Sequence, residues 1–256
     1  MRIISYNVNG IRAAMRKGLV DWLATDPADI ICLQEIKANK EDVESHLLDE
    51  LGYRHEWFSA QKKGYSGVAI LSRRKPDAVF TGHNNEQSDF EGRVIRADFG
   101  DLTIVNAYFP SGTMGATRQT YKYQWLDEFL EYIKELRKKR KKIVVAGDYN
   151  IAHREIDIHD PTGNRNTTGF LPEERAWMDK WFSGNLVDSY RHLHPLQTGS
   201  YSWWSQRFPS VRLNNKGWRL DYLTVTENLK KQIKAAAIYP EVKHSDHCPV
   251  FLELDI

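Results

Sequence analysis

The sequence KIVVAGDYN, residues 142–150, is an apolar run that stops abruptly at Asp148 and Asn150. Its length and its β-branched residues are typical of a buried strand. Seven further runs share these features: RIISYN (2–7), DIICLQE (29–35), GVAILSR (67–73), RVIRADF (93–99), LTIVNAYF (102–109), RLDYLTVT (219–226) and CPVFLELD (248–255). The chain therefore contains eight predicted strands, and their arrangement along the sequence decides the fold class.

Predicted helices lie among these strands without a regular alternation of strand and helix. One helix is predicted where apolar residues recur at helical spacing, at Trp125, Phe129, Ile133 and Leu136. The others are predicted at Gly18–Ala24, Glu41–Leu51 (with Asn39 as its cap) and Glu173–Phe182. This mixture favours an α/β fold, a four-layer α/β sandwich of two packed mixed β-sheets flanked by helices. A doubly wound parallel sheet is the alternative.

Composition limits the domain count, the partners and the compartment. A length of 256 residues suits one large domain, and we expect a single domain over residues 1–256. The net charge of +2 does not by itself indicate a nucleic-acid partner, and the basic run at 138–142 suits a helix C-terminus better than a polyanion site. Cys32 and Cys248 stand in apolar runs, which favours core thiols over a disulfide. Without a signal-peptide or membrane-spanning pattern, we expect a cytoplasmic protein with no membrane contact.

Polar side chains at the ends of the predicted strands are the most informative feature of the sequence. A single polar residue in such a place is usually a turn former, but here six strands share the pattern. If these ends meet on one face of the fold, they form a cleft built on rigid elements; if they do not, side-chain separations far beyond roughly 10 Å would exclude a shared site. The residues are Asn7, Asn9, Glu35, Tyr108, Asp148, Asn150, Asp221, Asp246 and His247.

The chemistry of this set favours a metal-dependent hydrolase of phosphate esters. Carboxylates and amides are the ligands that Mg²⁺ prefers, with Mn²⁺ as a substitute, and zinc spacing of Cys and His is missing. His247 is the only histidine of the set, and an aspartate such as Asp221 would orient its ring. The sequence contains neither a GxSxG elbow nor a phosphate-binding P-loop.

These residues also carry a family resemblance that extends from residue 2 to the last strand. The motifs are SYNVNGIR (5–12), LQEIK (33–37), GYSGVA (64–69), NAYFP (106–110), GDYNIAHREID (147–157), GFLPEER (169–175), GWRLDY (217–222) and SDHCP (245–249). In this order they resemble the exonuclease III family of abasic-site (AP) endonucleases, within the deoxyribonuclease I-like endonuclease/exonuclease/phosphatase superfamily. The resemblance implies a four-layer α/β sandwich forming one catalytic domain. It also implies Mg²⁺-dependent hydrolysis of DNA 5′ to an abasic site in base excision repair, leaving a 3′-hydroxyl and a 5′-deoxyribose phosphate. A 3′-to-5′ exonuclease or 3′-phosphodiesterase activity would accompany it.

Carried over to this chain, the resemblance implies a role for each polar strand end. His247, held by Asp221, is the site histidine, and Asp148 prepares the attacking water or protonates the leaving group. Asn7 and Asn150 orient phosphate, water or metal, and Tyr108 lies near the scissile phosphate. The expected metal-binding set is Glu35, Asn7, Asn9, Asp148, Asn150, Asp246 and His247. The number of metals and the identity of the general base stay open.

The resemblance further implies double-stranded DNA, with abasic sites or blocked 3′ ends, as the partner of a monomer. Arg12, Lys37, Tyr65 and Asn164 match positions that hold the phosphate backbone. Trp203, Trp218 and Leu220 match the pocket for an extruded abasic sugar. Core packing is the other interpretation of the tryptophans. Adjacent residues of an extended chain face opposite sides, so of Trp203 and Trp204 only one should face the pocket.

Three departures and two alternatives complete the sequence interpretation. Asn9 stands where some relatives have aspartate, which removes one possible metal carboxylate and weakens the expected metal affinity. Ser111 replaces an amide residue, which leaves one phosphate contact open. In loop 206–216, Phe208, Arg207 and Arg212 either wedge into or clamp the duplex, or the loop is simply solvated. The alternatives are a phosphoesterase of the same fold acting on lipids, inositol phosphates or RNA, and a non-catalytic DNA-binding protein.

Overall fold

The computed structural model describes residues 1–25 and 27–256 of the chain. Within these residues, twelve strands form two six-stranded sheets. The strands are β1 (Arg2–Asn7), β2 (Ile30–Gln34), β3 (Arg54–Phe58), β4 (Val68–Ser72), β5 (Ala78–Thr81), β6 (Val94–Phe99), β7 (Leu102–Tyr108), β8 (Lys142–Asp148), β9 (Leu186–Asp188), β10 (Asp221–Thr226), β11 (Ile233–Ile238) and β12 (Val250–Leu254). All eight predicted strands are confirmed.

The two sheets have the same internal pattern. Sheet one has the strand order β11-β12-β1-β2-β4-β3, and sheet two has the order β5-β6-β7-β8-β10-β9. In each sheet only the central pair, β1–β2 or β7–β8, is parallel among the described strands. Mixed sheets of this kind confirm the predicted sandwich, and the alternative of one doubly wound parallel sheet is wrong.

Three hydrophobic clusters define the layers. Between the sheets, side chains from both pack together, among them Ile3, Ile70, Ile104 and Val144. The outer face of sheet one packs against the first helices of the chain, and the outer face of sheet two packs against a long helix and its neighbour. The sequence interpretation of Cys32 and Cys248 as buried free thiols is confirmed.

Nine α-helices lie in the described residues, and most stand on the outer faces. They are α1 (Ile11–Arg16), α2 (Leu19–Thr25), α3 (His46–Glu50), α4 (Glu86–Phe90), α5 (Ala116–Lys139), α6 (Pro161–Asn164), α7 (Pro172–Ser183), α8 (Ser189–Leu193) and α9 (Ser210–Leu213). The predictions at Gly18–Ala24, Trp125–Leu136 and Glu173–Phe182 correspond to α2, α5 and α7. None of the described helices is long and apolar enough to span a bilayer.

The predicted helix at Glu41–Leu51 is wrong as a continuous helix. A 3₁₀ turn at Lys40–Asp42 is separated from α3 because Val43 adopts an extended conformation, and Val43 packs there against the core of sheet one. The Asp42 carboxylate accepts a hydrogen bond from the Asn39 backbone N–H.

A buried polar contact joins the two sheets near the carboxyl ends of their parallel strands. Asn106 of β7 donates to the backbone oxygens of Leu33 and Ala69 in sheet one, at 2.9 and 2.8 Å. Its own side-chain oxygen accepts from Gln34 Nε2 at 2.8 Å. Because an unpaired polar group costs free energy at this depth, the contact fixes how the strand ends of one sheet lie against those of the other.

Candidate active site

Strand register brings three of the predicted residues side by side in sheet two. Asp148 ends β8, pairs with Tyr108 at the end of parallel β7, and pairs with Asp221 at the start of antiparallel β10. The parallel strands β1 and β2 of sheet one end in the same way, with Asn7 opposite Gln34. The polar strand ends therefore do converge, and the interpretation in which they are unrelated turn formers is wrong.

Asn7 links the two sheets across the cleft. Its side-chain nitrogen lies 2.9 Å from Asp148 Oδ2 and 3.1 Å from Glu35 Oε2, and its oxygen accepts from the backbone N–H of Asn9 at 2.9 Å. Asn7 is fully buried and Asp148 is almost so. A single amide thus holds a carboxylate of each sheet in one site.

His247 lies between two aspartates of sheet two. Its Nδ1 is 2.8 Å from Asp221 Oδ2, and its Nε2 is 3.8 Å from Asp148 Oδ2. Ser202, which the sequence interpretation missed, donates to Asp221 Oδ2 at 2.6 Å and accepts from the Asp221 backbone N–H. With Nδ1 directed to Asp221, the ring presents Nε2 to the cleft and to Asp148, as a proton-transferring histidine requires.

Burial and like charge set unusual proton affinities in this group. Burial, with a further contribution from the Asp221 carboxylate, raises the pKa of Asp148 to about 7, although His247 opposes the shift. Burial alone would lower the pKa of His247, but the Asp221 and Asp148 carboxylates outweigh it and raise that pKa to about 10. The arrangement therefore holds a protonated imidazole beside a carboxyl group that exchanges its proton near neutral pH.

Several residues of the site occupy left-handed backbone conformations. Asn9, Glu35, Lys37 and Asn150 have φ values of 44°, 54°, 53° and 51°. Residues with side chains rarely adopt this region, and where they do the surrounding structure must hold them. Here neighbouring loops do so, since the backbone N–H of Lys37 donates to the Ser66 oxygen at 2.8 Å and that of Gly10 donates to the Glu35 oxygen at 2.8 Å.

The oxygen-rich side of the cleft fits a hard divalent cation. Glu35, Asn9 and Asp246 line the same cavity and are partly exposed, and Asn9 Nδ2 lies 2.9 Å from Asp246 Oδ1. The Lys37 ammonium already stands 2.8 Å from Glu35 Oε1 and 2.6 Å from Asn9 Oδ1, so this set attracts positive charge. Carboxylate and amide oxygens are suitable ligands for such an ion.

A second group of possible ligands is occupied by its own contacts. Ligand atoms of Asp148, Asp221 and His247 lie within 4.8 Å of one another. However, His247 and Asp221 are hydrogen-bonded to each other, and Asp148 accepts from Asn7 and Asn150. The Glu35 side also has contacts of its own, with Lys37 and Asn7, but Glu35, Asn9 and Asp246 are partly exposed. Asp148, Asp221 and His247 are buried, so the Glu35 side is the more accessible of the two to an ion.

A cavity of about 340 Å³ lies beside these residues, and aromatic side chains form one wall. Trp203 and Trp218 meet edge to face with ring centroids 6.0 Å apart, and the Trp203 indole donates to Asp246 Oδ2 at 3.1 Å. Leu220 lines the same cavity. Trp204 is buried at 2% exposure, so the prediction that only one of the adjacent tryptophans faces the pocket is confirmed.

The residues predicted to hold the phosphate backbone do not all lie together. Arg12, Lys37 and Tyr65 line one small basic cleft, to which Lys62 and Lys63 also contribute. Asn164 ends α6, where its side chain donates to the Asp160 backbone oxygen at 2.9 Å. Asn164 lines neither the catalytic cavity nor this basic cleft.

Loop 206–216 contains one anchored and one exposed segment. Arg212 donates to the backbone oxygens of Ser245, Pro240 and Val242 at 2.7–3.0 Å, so its guanidinium is engaged within the protein, and its contact with DNA stays a prediction. Phe208 is 58% exposed, with the Arg207 guanidinium 5.6 Å from its ring centroid. Arg212 instead ties the loop to the segment that leads into Asp246 and His247.

The chain resembles known nucleases over its whole length. A model of the endonuclease/exonuclease/phosphatase family matches residues 4–247. An exodeoxyribonuclease of Bacillus subtilis is 44% identical over all of both chains. A DNA-(apurinic or apyrimidinic site) endonuclease of Dictyostelium discoideum is 37% identical, covering all of this chain and 71% of that protein. The structure of the 3′ phosphatase NExo from Neisseria, bound to a product DNA hairpin, superimposes with a TM-score of 0.92 and 29% identity over all of both chains.

Proposed function

Because the chain belongs to the endonuclease/exonuclease/phosphatase family, as its motifs predicted, we propose that this nuclease is an AP endonuclease of base excision repair. It hydrolyses the phosphodiester 5′ to an abasic site and leaves a 3′-hydroxyl and a 5′-deoxyribose phosphate. The observation that carries this proposal is the pairing of Asp148 with His247 beside a cavity walled by tryptophans. The Dictyostelium relative, an endonuclease of apurinic or apyrimidinic sites, supports the same reaction.

The two proton-transferring residues, Asp148 and His247, would act on the same scissile phosphate, since their reacting atoms lie 3.8 Å apart. Asp148, whose pKa of about 7 lets it exchange a proton near neutral pH, takes a proton from the attacking water or gives one to the leaving oxygen. His247, kept protonated by Asp221, donates through Nε2 to a phosphate oxygen as negative charge develops there. Asn7, Asn150 and Tyr108 orient the phosphate and the water.

Glu35, Asn9 and Asp246 would hold Mg²⁺, for which Mn²⁺ can substitute. When bound, the ion supplies Lewis-acid stabilisation of the charge on the phosphate oxygens. Asn9 contributes an amide where a carboxylate would bind more strongly, so we expect a modest metal affinity. The further ligands that the sequence suggested, Asn7, Asp148, Asn150 and His247, stay predictions. Asp148 and His247 are buried, and Asp148 accepts a hydrogen bond from the Asn150 side chain.

The tryptophan-walled cavity would receive the extruded sugar. Trp203, Trp218 and Leu220 offer apolar surface, and Gly169 closes the wall at a point where a Cβ atom would lie only 3.0 Å from the Trp218 ring. Extrusion costs least when no base must be unpaired and unstacked, which favours an abasic nucleotide. The cavity therefore favours damaged DNA over the lipid, inositol and RNA alternatives.

Double-stranded DNA would lie across Arg12, Lys37 and Tyr65, which contact phosphates without reading sequence. Asn164 would contact the backbone farther from the cavity. We propose that residues 1–256 act as one catalytic domain and as a monomer. The DNA hairpin bound to the Neisseria relative supports DNA as the partner.

Incision of a labelled duplex with one tetrahydrofuran abasic analogue tests the proposal. The analogue cannot undergo β-elimination, so any cut must be hydrolytic. We expect a single cut 5′ to the analogue with Mg²⁺, an extendable 3′-hydroxyl, and no cut with EDTA or in an undamaged duplex. A wild-type enzyme that leaves the analogue intact with both Mg²⁺ and Mn²⁺ would exclude the proposed reaction.

Processing of blocked 3′ ends is a second candidate activity at the same site. The Neisseria relative is a 3′ phosphatase, and the tryptophan cavity here opens directly beside Asp148 and His247. A nicked duplex with a 3′-phosphate, assayed beside the tetrahydrofuran substrate, measures the ratio of the two activities. Removal of single 3′-nucleotides would register as exonuclease activity in the same gel.

A further inference from the structure

Two fully buried charged residues lie outside the candidate catalytic set. Lys122 of α5 and Glu174 of α7 are both 0% exposed, and Lys122 Nζ lies 2.6 Å from Glu174 Oε1. Glu174 belongs to the GFLPEER motif, whose purpose the sequence does not show. A buried ion pair is weak evidence for stability, because desolvation offsets much of the attraction between the charges. The contacts of the pair must therefore indicate its role.

Lys122 reaches the turn that carries Asn150. Its ammonium donates to the Asn150 backbone oxygen at 2.8 Å. The backbone N–H of Asn150 donates to Asp148 Oδ1 at 2.8 Å. Asn150 is also one of the residues of the site with a left-handed backbone conformation. Lys122 thus holds one side of a strained turn whose other side fixes the catalytic carboxylate.

Glu174 reaches the loop that forms the cavity wall. Its Oε2 accepts from the backbone N–H groups of Gly169 and Leu171, at 2.6 and 3.0 Å. Thr168 donates to Oε1 at 3.3 Å, and Gly169 packs against Trp218. The carboxylate therefore fixes the wall against which an extruded sugar would rest.

The contacts of Lys122 and those of Glu174 converge at one place in the site. A Cβ atom on Gly169 would lie 3.0 Å from the Trp218 ring and 3.2 Å from the Asn150 oxygen, so the wall and the turn are in contact. A change in Lys122 or in Glu174 would therefore displace both the cavity wall and the Asn150 turn. Resting on the AP endonuclease function proposed above, we propose that Lys122 and Glu174 are a positioning pair that sets Asp148 against the sugar-binding wall. Neither side chain touches the substrate.

Charge-removing variants compared with a matched core variant test this inference. Lys122→Met removes the ammonium at nearly constant length, and Lys122→Met/Glu174→Gln removes both charges, so no unpaired charge stays buried. Leu126→Ala, about one turn along the same helix and in the core cluster that α5 packs into, is the control for loss of packing alone. For each variant we would measure the single-turnover cleavage rate, the dissociation constant for the uncleaved duplex, and Tm.

Misplacement of about 1 Å at a reacting group costs on the order of 100-fold in rate. We therefore expect Lys122→Met/Glu174→Gln to cleave about 100-fold more slowly than wild type at a temperature where it is folded. Its duplex affinity should stay within about threefold, and Leu126→Ala should keep the wild-type rate despite a similar loss of Tm. Lys122→Arg, which retains the charge and the donor, should recover part of the rate.

A folded double variant with the wild-type rate would overturn the inference. So would failure of both charge variants to fold, because the pair would then serve stability rather than position. Rates are taken relative to wild type on whichever substrate it cleaves, the tetrahydrofuran duplex or the 3′-phosphate nick. A wild type inactive on the first substrate would therefore refute the proposed function without deciding the positioning role.

Discussion

Two buried clusters of carboxylates lie close together in this protein, and they are built in opposite ways. In the first, Asp157 accepts from Arg191 and Arg219 at 2.6–3.0 Å, and Arg219 also donates to Asp188 at 2.7 Å. In the second, Asp148 and Asp221 share the single imidazole of His247. The first cluster balances two carboxylates with two guanidinium groups, whereas the second leaves negative charge uncompensated.

The proton affinities of the two aspartates show what this difference does. Burial raises the pKa of both, but the Arg219 and Arg191 guanidinium groups outweigh burial at Asp157 and hold its pKa well below the usual range. No guanidinium contacts Asp148 among the described residues, and its pKa rises to about 7. A balanced cluster supports the fold, and an unbalanced one keeps a proton available for chemistry at a cost in stability.

Asp148→Asn should have the largest effect on activity. We expect cleavage to fall by roughly 10³-fold or more, because the proton-transferring group is lost, while duplex binding survives. Stability at pH 8 should be unchanged or higher, since a buried negative charge is removed. Single-turnover rates, duplex affinity and Tm give the comparison, and a variant with unchanged turnover would refute the role of Asp148.

The pH dependence of stability should show the free-energy cost of the buried Asp148 carboxylate. An acid whose folded pKa is raised binds its proton more tightly in the native state, so its contribution to stability falls as pH rises from about 4 to about 7. Asp148→Asn should lack this decline, and its stability advantage over wild type should therefore grow across that interval. The free energy of unfolding of both proteins is measured by chemical denaturation at each pH. The same change with pH in wild type and in Asp148→Asn would contradict this prediction.

Asp157→Asn should have the opposite effect to Asp148→Asn, with stability lowered and the cleavage rate nearly unchanged. Removing the Asp157 charge leaves two buried guanidinium groups, those of Arg191 and Arg219, with one carboxylate, that of Asp188. Breaking a buried ion network in this way typically costs about 3–5 kcal/mol. The folded fraction should cleave within a few-fold of the wild-type rate, because Asp157 does not contact the catalytic residues. Denaturant unfolding and the rate per folded molecule measure the two effects, and a stable but inactive variant would show that the clusters are not separable.

Acid titration should separate the clusters in a second way. Because the folded pKa of Asp157 is depressed, its stabilisation is fully present above its unfolded pKa of about 4 and is lost as pH falls through the folded value. The stability difference between wild type and Asp157→Asn should therefore be constant from pH 5 upward and shrink in stronger acid. A difference that persists undiminished at pH 2 would point to packing rather than charge.

The sequence predicted the centre of the fold and of the site better than their edges. Central strands such as β2 and β8 are nearly fully buried, which makes them continuous apolar runs. The four strands not predicted, β3, β5, β9 and β11, are the edge strands of the two sheets, and three of them carry exposed or half-exposed residues along most of their length. An edge strand lacks the pattern that burial imposes.

The same distinction holds for the site. Polar residues that end buried strands, such as Glu35 and Asp148, are conspicuous in the sequence because the apolar run stops there. Ser202 and Lys122 escape notice because they lie within an aromatic segment and within a helix, and only the fold brings them to Asp221 and Asn150. Long-range partners of this kind leave no local signal in one sequence.

Metal binding should produce the smallest effect and should act on only one of the two regions. Mg²⁺ should stabilise the protein through Glu35, which lies with Asn9 and Asp246 on the partly exposed side of the cleft that also holds Asp148. The guanidinium-balanced cluster should not bind the ion, because its carboxylates already pair with cations. At ten times the dissociation constant, a ligand specific for the native state adds about 1.4 kcal/mol, or roughly 3–6 °C in Tm for a chain of this size. Glu35→Gln should abolish the shift, while Asp157→Asn, though less stable, should keep it in full. A Mg²⁺ shift that survives Glu35→Gln would place the ion beside Asp148 and His247 instead, and the division between a metal side and a proton-transferring side of the cleft would have to be abandoned.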